Sequence, residues 1–236
     1  MSSDPRPPVD VLVPILGPED SLPRVLDALP QAVVRNVILV KVGELNGTSV
    51  LARDPRTTVL AVPEGGHGAA VIRGLEHLES LADRPGVVVI LAADGTQDPA
   101  DIPSILRPIL KSGYDMVIGS PMLGPGRGAG MDVVERCGNV VAVQLIRMVY
   151  GYSYTDLSTY IAIRFPALVA LGITDAGAGF STELRVKALK VGLRVAEVPV
   201  ASRQHARDGL RSRSLKERIE VSTKSLYQIL RNATIR

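Results

Sequence analysis

The chain has 236 residues with 27 Lys and Arg against 24 Asp and Glu, a formal charge of +3, and is 46% hydrophobic and 22% charged. That length and composition suit one large globular domain, alone or with a small appendage, and no apolar run approaches the ~18 residues of a membrane span. The polar, proline-rich start MSSDPRPPVD carries no secretory pattern, the lone Cys137 excludes a disulfide framework or cysteine metal cluster, and two Phe, six Tyr and no Trp argue against base-stacking on nucleic acid. The expectation is a cytoplasmic protein without a nucleic-acid partner.

Strand and helix patterns alternate from the beginning, the rhythm of an α/β domain with a mostly parallel sheet. VDVLVP ending at Pro14 reads as a strand, 21–29 as an amphipathic helix, 36–42 as a second strand and 57–62 as a third. Residues 68–81 place Ala69, Ile72, Leu75 and Leu78 at helical spacing. The most apolar run, 86–93 (GVVVILAA), is bounded by Pro85 and Asp94-Gly95 and reads as the central buried strand. A helix over 101–112, a strand over 115–119, a glycine-rich loop over 124–130 and a long helix over 132–150 follow. The chain closes with a strand over 194–199 and a helix over 215–231 whose Leu215, Ile219, Leu226 and Leu230 share one side.

Charge is unevenly spread. Residues 203–236 hold nine Arg and Lys against three acids, a balance of +6, and residues 1–202 hold 18 against 21, a balance of −3. The expected division is therefore a domain over 1–202 and a basic loop and helix over 203–236. Such a segment suits phosphates, anionic lipid headgroups or nucleic acid, or is simply a solvated helix face. Arginine outnumbers lysine 21 to 6, the bias of a GC-rich bacterial genome.

Ligands of open α/β sheets bind at the carboxyl ends of the strands, and the strand ends here carry a recognisable series. VLVPILGPEDSLPRVLDALP, VILVKVGELNGT, EGGHGAAVIRGLEH, VVVILAADGTQDPADIP, YDMVIGS, GYSYTDLSTYIAIR and GFSTELRVKALKVGLRVAEVPV, in that order, resemble the family 2 glycosyltransferases of the dolichyl-phosphate mannose synthase type. The resemblance covers nearly the whole chain and implies a GT-A fold, a nucleotide-sugar donor, an Mg²⁺ or Mn²⁺ ion on its diphosphate, inversion at the anomeric carbon, and a polyprenyl phosphate or small-molecule acceptor. With no span in the sequence, a lipid acceptor implies peripheral contact at the inner membrane face through the basic loop and following helix.

Residue by residue the pattern is altered. The Asp-x-Asp that relatives carry after the central strand is Ala92, Ala93, Asp94, which leaves Asp94 as the metal ligand and catalytic carboxylate, or as a turn residue before Gly95. Lys41 and Val42 stand where relatives have two acids for base and ribose, and Gly43 keeps the turn. Pro14, Glu19, Lys41, Gly43, His67 and Asp94 make up the expected donor side. Glu19 has the alternative of a helix N-terminal charge, Lys41 that of an exposed strand-end lysine, and His67, in an open glycine loop, is expected to meet a phosphate with helix N–H groups helping. Pro121 and Ile161 replace two arginines of relatives. Asp156 and Ser158 match an acceptor-side motif, where Asp156 orients the acceptor or caps a turn, and Glu183 matches an acid that serves as general base or first-turn charge. Arg203, Arg207 and Arg211 are the expected contacts to a lipid phosphate. A non-catalytic relative that binds or partners, and a metal-independent transferase of specialised metabolism, are the alternative readings.

Overall fold

The computed structural model describes residues 6–17, 19–45, 54–124, 133–201 and 215–234, side chains excepted at 133–137, 215–222 and 234. In chain order the elements are β1 (Val9–Ile15), α1 (Leu22–Asp27), β2 (Val34–Val42), β3 (Thr57–Val62), α2 (His67–Ser80), β4 (Val87–Ile90), α3 (Ile102–Ser112), β5 (Met116–Ser120), α4 (Val133–Tyr150), β6 (Ile161–Arg164), α5 (Phe165–Ala170), α6 (Phe180–Lys190), β7 (Val195–Pro199) and α7 (Leu215–Thr234).

One seven-stranded sheet runs in the order β3-β2-β1-β4-β6-β5-β7. Every neighbouring pair is parallel except those of β6, which lies antiparallel between β4 and β5. The sheet is buried on both faces, so its middle strands are apolar without alternation: all seven residues of β1 and all four of β4 are buried. Leu12, Ile38, Val40, Val88 and Ile90 join a core with α2, α4 and α6. Val11, Val13, Leu39 and Val89 face the opposite layer, where α1 and α3 contribute Leu22, Val25, Ile102 and Ile105. Helix α2 can approach the sheet closely because position 74 is glycine; a Cβ there would stand 2.2 Å from a Leu12 methyl.

Two features differ from the sequence expectation. The short strand β6 escaped a periodicity reading because TDLSTYIAIR offers only four pleated residues, Ile161, Ala162, Ile163 and Arg164, after a polar turn. Its Ile161 pairs with Ile90 at the end of β4 and with Ile118 of β5. Running against its neighbours, β6 starts at the edge where they finish, so residues 154–160 are delivered to the carboxyl edge of the sheet. The second difference is the face of α7. Ser225, Gln228, Ile229 and Asn232 are buried against the domain, while Leu230 is 54% and Tyr227 59% exposed. The helix docks through hydrogen bonds: Tyr150 Oη donates to the Ile229 carbonyl at 2.9 Å and Lys190 Nζ to that of Asn232 at 2.9 Å. Of the side that hydrophobic spacing suggests, Leu230 is exposed and Leu226 half-buried, and the side chains of Leu215 and Ile219 lie outside the described ones.

At the opposite edge of the sheet, Asp10 is fully buried on β1 and accepts from Arg35 Nε at 2.9 Å, from its second guanidinium nitrogen at 2.8 Å, and from the Asn36 N–H at 3.2 Å. Arg35 also reaches Asp83, which ties β1, β2 and the loop before β4 together. Removing one partner leaves the other charged and poorly solvated. Asp10→Ala is expected to lower stability by ~3 kcal/mol in urea unfolding, with the denaturant slope unchanged.

Candidate active site

The expected donor residues gather where β1, β2 and β4 end side by side. Pro14 is buried in β1 opposite Val40, and the chain leaves the strand through Leu16 and Gly17. Lys41 is not an exposed lysine. Its Nζ donates to the Gly17 carbonyl at 3.0 Å and pairs with Glu19 at 2.8 Å, with the two side chains only 16% and 19% exposed. Glu19 is accordingly committed to β2, and the first turn of α1 carries no acid. Gly43 has φ +97°, a left-handed conformation that favours glycine, donates its N–H to the Val62 carbonyl at 2.8 Å, and has no atom within 4 Å of where a Cβ would stand. The end of β2 is thus a bare backbone turn beside an internal ion pair.

The β4 strand stops at Ile90, and Ala92 to Gln97 form a closed turn. Gln97 Oε1 accepts from the Ala92 N–H at 2.9 Å and its amide donates to Thr159 at 3.1 Å, stitching this turn to the start of β6. Asp94 is half-buried; its Oδ1 accepts from the Thr96 N–H at 3.0 Å and from the Thr96 hydroxyl at 2.6 Å. The turn reading of Asp94 holds: one oxygen fixes an Asx turn, and the other makes no hydrogen bond to the described residues. No group of three His, Cys, Asp or Glu that could hold a metal occurs among the described residues.

The glycine loop before α2 departs from expectation. The Gly66 and Ala69 N–H groups donate to the Ala176 carbonyl, each at 2.9 Å, and Gly68 N–H to that of Gly177 at 3.1 Å. The helix N–H groups proposed for a phosphate are therefore already occupied by loop 174–178. A Cβ on residue 68 would lie 1.8 Å from the Asp175 carbonyl oxygen, so glycine is needed for this contact rather than for a ligand. His67, the first residue of α2, is half-buried with both ring nitrogens shielded from solvent, and its ring packs on Phe180 with centroids 5.5 Å apart. The open-loop imidazole expected from the sequence is instead part of the α2–α6 packing.

Glu183 is also committed elsewhere. It is 1% exposed and accepts from the N–H groups of Thr174 and Asp175, from the Thr174 hydroxyl at 3.0 Å, and from Lys187 at 2.7 Å. Burial pushes its carboxyl up, but the Lys187 ammonium and the Asp175 and Thr174 donors more than offset this and hold it below its ordinary value. A buried carboxylate with its lone pairs taken is a poor general base. The expectation of Glu183 as base is corrected: it clamps loop 174–175, the loop that seats α2.

On the other side of the β4 end, β6 delivers Asp156 and Ser158. Asp156 is 2% exposed, its Oδ2 has no hydrogen-bond partner among the described residues, and burial holds its carboxyl above the usual range against Arg185, the Leu157 and Ser158 N–H groups and Asn139. Ser158 Oγ accepts from the Tyr160 N–H at 3.1 Å. Beside them the fully buried Arg185 of α6 donates to the Ser181 carbonyl at 2.8 Å and to the Ser158 carbonyl, with its guanidinium 5.7 Å from the centre of the Tyr154 ring. Glu197 of β7 accepts from the Thr155 N–H at 2.9 Å and from its hydroxyl at 2.8 Å; burial raises its carboxyl too.

The carboxyl edge therefore joins Pro14, Glu19, Lys41, Gly43 and Asp94 on one side and Asp156 and Ser158 on the other. His67 and Glu183 belong to the packing behind, and Arg203, Arg207 and Arg211 lie outside the described residues. Arg185, Glu197, Asn139 and Gln97 went unnoticed in the sequence. Helix α6 held the signal: FSTELRVKALK has no polar face wide enough for its five charged and hydroxyl side chains near the start, so some had to be internal.

Comparison with known proteins fits this geometry. The sequence model of "Glycosyl transferase family 2" matches residues 10–169. An uncharacterised glycosyltransferase of Mycobacterium tuberculosis is 32% identical over 193 residues, 82% of this chain and 84% of the relative. The undecaprenyl-phosphate mannosyltransferase of Micrococcus luteus is 28% identical over 204 residues, 80% and 81% of the respective chains. Glucosyl-3-phosphoglycerate synthase from Mycobacterium tuberculosis, solved with Mn²⁺, uridine diphosphate and phosphoglyceric acid, superposes with a TM-score of 0.76 at 22% identity, covering 98% of this chain and 80% of that one. The mostly parallel sheet flanked by helices is thus the GT-A fold.

Because the Glu183 carboxyl lies below its unfolded value, its stabilisation is present above pH ~4.3 and is lost as pH falls through the lower folded value. Glu183→Gln is expected to lower the thermal midpoint at pH 7, by ~1–3 kcal/mol in stability, and the gap to the parent should narrow as pH drops towards 3. A gap that persists unchanged in acid would exclude the ionised clamp.

Proposed function

The chain belongs to glycosyl transferase family 2, and we propose that it moves a sugar from a nucleotide-sugar donor, lying along the β2–β1–β4 edge, to an acceptor phosphate presented at the β6 side. The observation that carries this reading is Asp94, at the end of the central strand, with one oxygen locked by Thr96 and the other left over. Lys41, Glu19, Pro14 and Gly43 wall the donor side.

A divalent ion fits here in a limited way. Asp94 offers one hard oxygen ligand, and Mg²⁺ or Mn²⁺ would take its remaining ligands from the donor diphosphate and water. When bound, the ion supplies charge neutralisation for the departing nucleoside diphosphate. The Mn²⁺ and uridine diphosphate of the fold neighbour support this reading. With a single protein carboxylate, the ion should be held by protein and donor together.

Transfer with inversion needs an acceptor oxygen to attack the anomeric carbon while the bond to the donor's diphosphate breaks and that group leaves with the electron pair. A hydroxyl acceptor would also need a base. A phosphate monoester is already anionic near neutrality and needs none. With Glu183 engaged, the phosphate is the better match, and the undecaprenyl-phosphate relative supports it. Asp156 and Ser158 then orient the acceptor, and Arg203, Arg207 and Arg211, from the basic segment 203–236, are proposed to meet its charge.

Peripheral membrane contact belongs to the same proposal. No helix among the described residues is long and apolar enough to cross a membrane. Helices α4 and α7, packed on each other, turn Val140, Val141, Met148, Tyr227 and Leu230 outward, with Arg147 and Arg231 also exposed. Apolar side chains among cations suit an anionic bilayer surface.

Turnover of GDP-mannose and uridine-diphosphate sugars with undecaprenyl phosphate, with and without Mn²⁺, tests the whole reading; no transfer from any donor would overturn it. Asp94→Asn should cut kcat by about tenfold or more with an unchanged thermal midpoint. Calorimetry should register Mn²⁺ only when a nucleoside diphosphate is present, and tight binding to the free protein would contradict a shared ion. Replacing Arg203, Arg207 and Arg211 together by Ala should weaken sedimentation with vesicles containing undecaprenyl phosphate while leaving thermal stability in place.

A further inference from the structure

Arg185 is a guanidinium with no exposed surface, and isolated burial of such a charge is costly. Its surroundings explain how it is held. Two carbonyls, of Ser181 and Ser158, accept from its terminal nitrogens, Tyr154 offers a ring face, and the carboxylates of Asp156 and Glu197 act on it electrostatically. Tyr154 Oη in turn donates to the Arg185 carbonyl at 3.4 Å. These contacts come from three elements: α6, the turn before β6, and β7. They converge on one short segment, Asp156 to Ser158, whose backbone is also held by Asn139 Oδ1 accepting from the Leu157 N–H at 3.1 Å.

The segment is unusual in what it leaves unsatisfied. Asp156 Oδ2 and Arg185 Nε are both buried without a hydrogen-bond partner among the described residues, although such atoms in folded proteins are nearly always paired. A cluster built only to lock helix to sheet would spend those atoms on each other or on backbone.

We propose that Arg185 is a positioning residue for sugar transfer, whose guanidinium grips the Ser158 carbonyl and neutralises Asp156 so that the Asp156–Ser158 segment meets the acceptor in one fixed geometry. The inference rests on the acceptor-side reading of Asp156 given above. The charges that face Asp156 are Arg185 from α6 and Glu197 from β7, which also takes the Asp156 N–H; Tyr154 on its own segment and Asn139 of α4 complete the shell. Arginine suits the role because a planar fork can hold a carbonyl and present charge elsewhere, which a lysine ammonium cannot do from the same place.

The full chain with Arg185→Met, Arg185→Lys and Asp156→Asn separates the possibilities. Carbon-13 titration of the aspartate carboxyls, with Asp156→Asn assigning the signal, should show the Asp156 midpoint rising by about one pH unit or more in Arg185→Met and returning towards the parent in Arg185→Lys. With GDP-mannose and undecaprenyl phosphate, Arg185→Lys should lose about tenfold in kcat with little change in the KM of the nucleotide sugar. An unmoved Asp156 midpoint in a folded Arg185→Met, or parental kcat in Arg185→Lys, overturns the proposal. If Arg185→Met does not fold, Arg185→Lys decides alone: a kcat loss at parental thermal midpoint supports the role, and parental kcat defeats it. Full turnover by Asp156→Asn would overturn the acceptor-side reading itself, a result distinct from any shift in the titration.

Discussion

The backbone contact between the first turn of α2 and the loop 174–177 sets the shape of the back of the site. Helix starts carry N–H groups that need acceptors, and here the Ala176 and Gly177 carbonyls supply them. That contact demands glycine at 68 and leaves a side chain at 66 little room, and it demands that the loop itself be held. Glu183 holds it from α6 through the Thr174 and Asp175 N–H groups, and Gln228 of α7 donates to Asp175 at 2.6 Å. A single requirement, that buried backbone groups be paired, thus links α2, α6 and α7 and removes Glu183 and the α2 N–H groups from the list of groups available to a substrate.

The antiparallel strand β6 has the complementary effect at the front. Parallel strands alone would bring only strand ends and following loops to the carboxyl edge. Placing one reversed strand between β4 and β5 brings the beginning of a strand there as well, so Thr159 can hold Gln97 of the β4 turn and Ser158 can be gripped from α6. The β4 turn and the start of β6 consequently share one turn-to-turn hydrogen bond rather than standing as separate loops.

Much of this was readable in the chain. The apolar runs of β1, β2 and β4 point to a mostly parallel sheet, and the ordered motifs to the GT-A fold and to the edge that carries the candidate site. Individual contacts were less legible, because they depend on which group gets there first. The EGGHGAA glycines signal close approach, but nothing local says that the approaching group is another loop. Lys41 reads as an isolated cation because its partner Glu19 is distant in sequence. For α7, apolar spacing gives no hint that Leu230 is exposed while Ser225, Gln228 and Asn232 are buried and Tyr150 and Lys190 bond its last turns.

On the proposed reading of the site, the distribution of charge along the edge bears on how a donor and an acceptor would be held. Lys41 and Glu19 neutralise each other, so the β2 end offers the donor no net charge and little besides the Gly43 backbone. Ala92 removes one carboxylate, leaving Asp94 with a single oxygen to spare. Donor binding should then depend on shape and an ion carried with the diphosphate more than on fixed protein charge. At the β6 side the charges are buried instead: one cation, Arg185, stands among Asp156 and Glu197, both with carboxyls raised by burial. Because the interior weakens Coulomb forces far less than water does, the charges of Arg185, Asp156 and Glu197 act on one another more strongly than the pair at the β2 end, and on the proposed reading a phosphate entering beside them would meet a segment already held before the sugar moves.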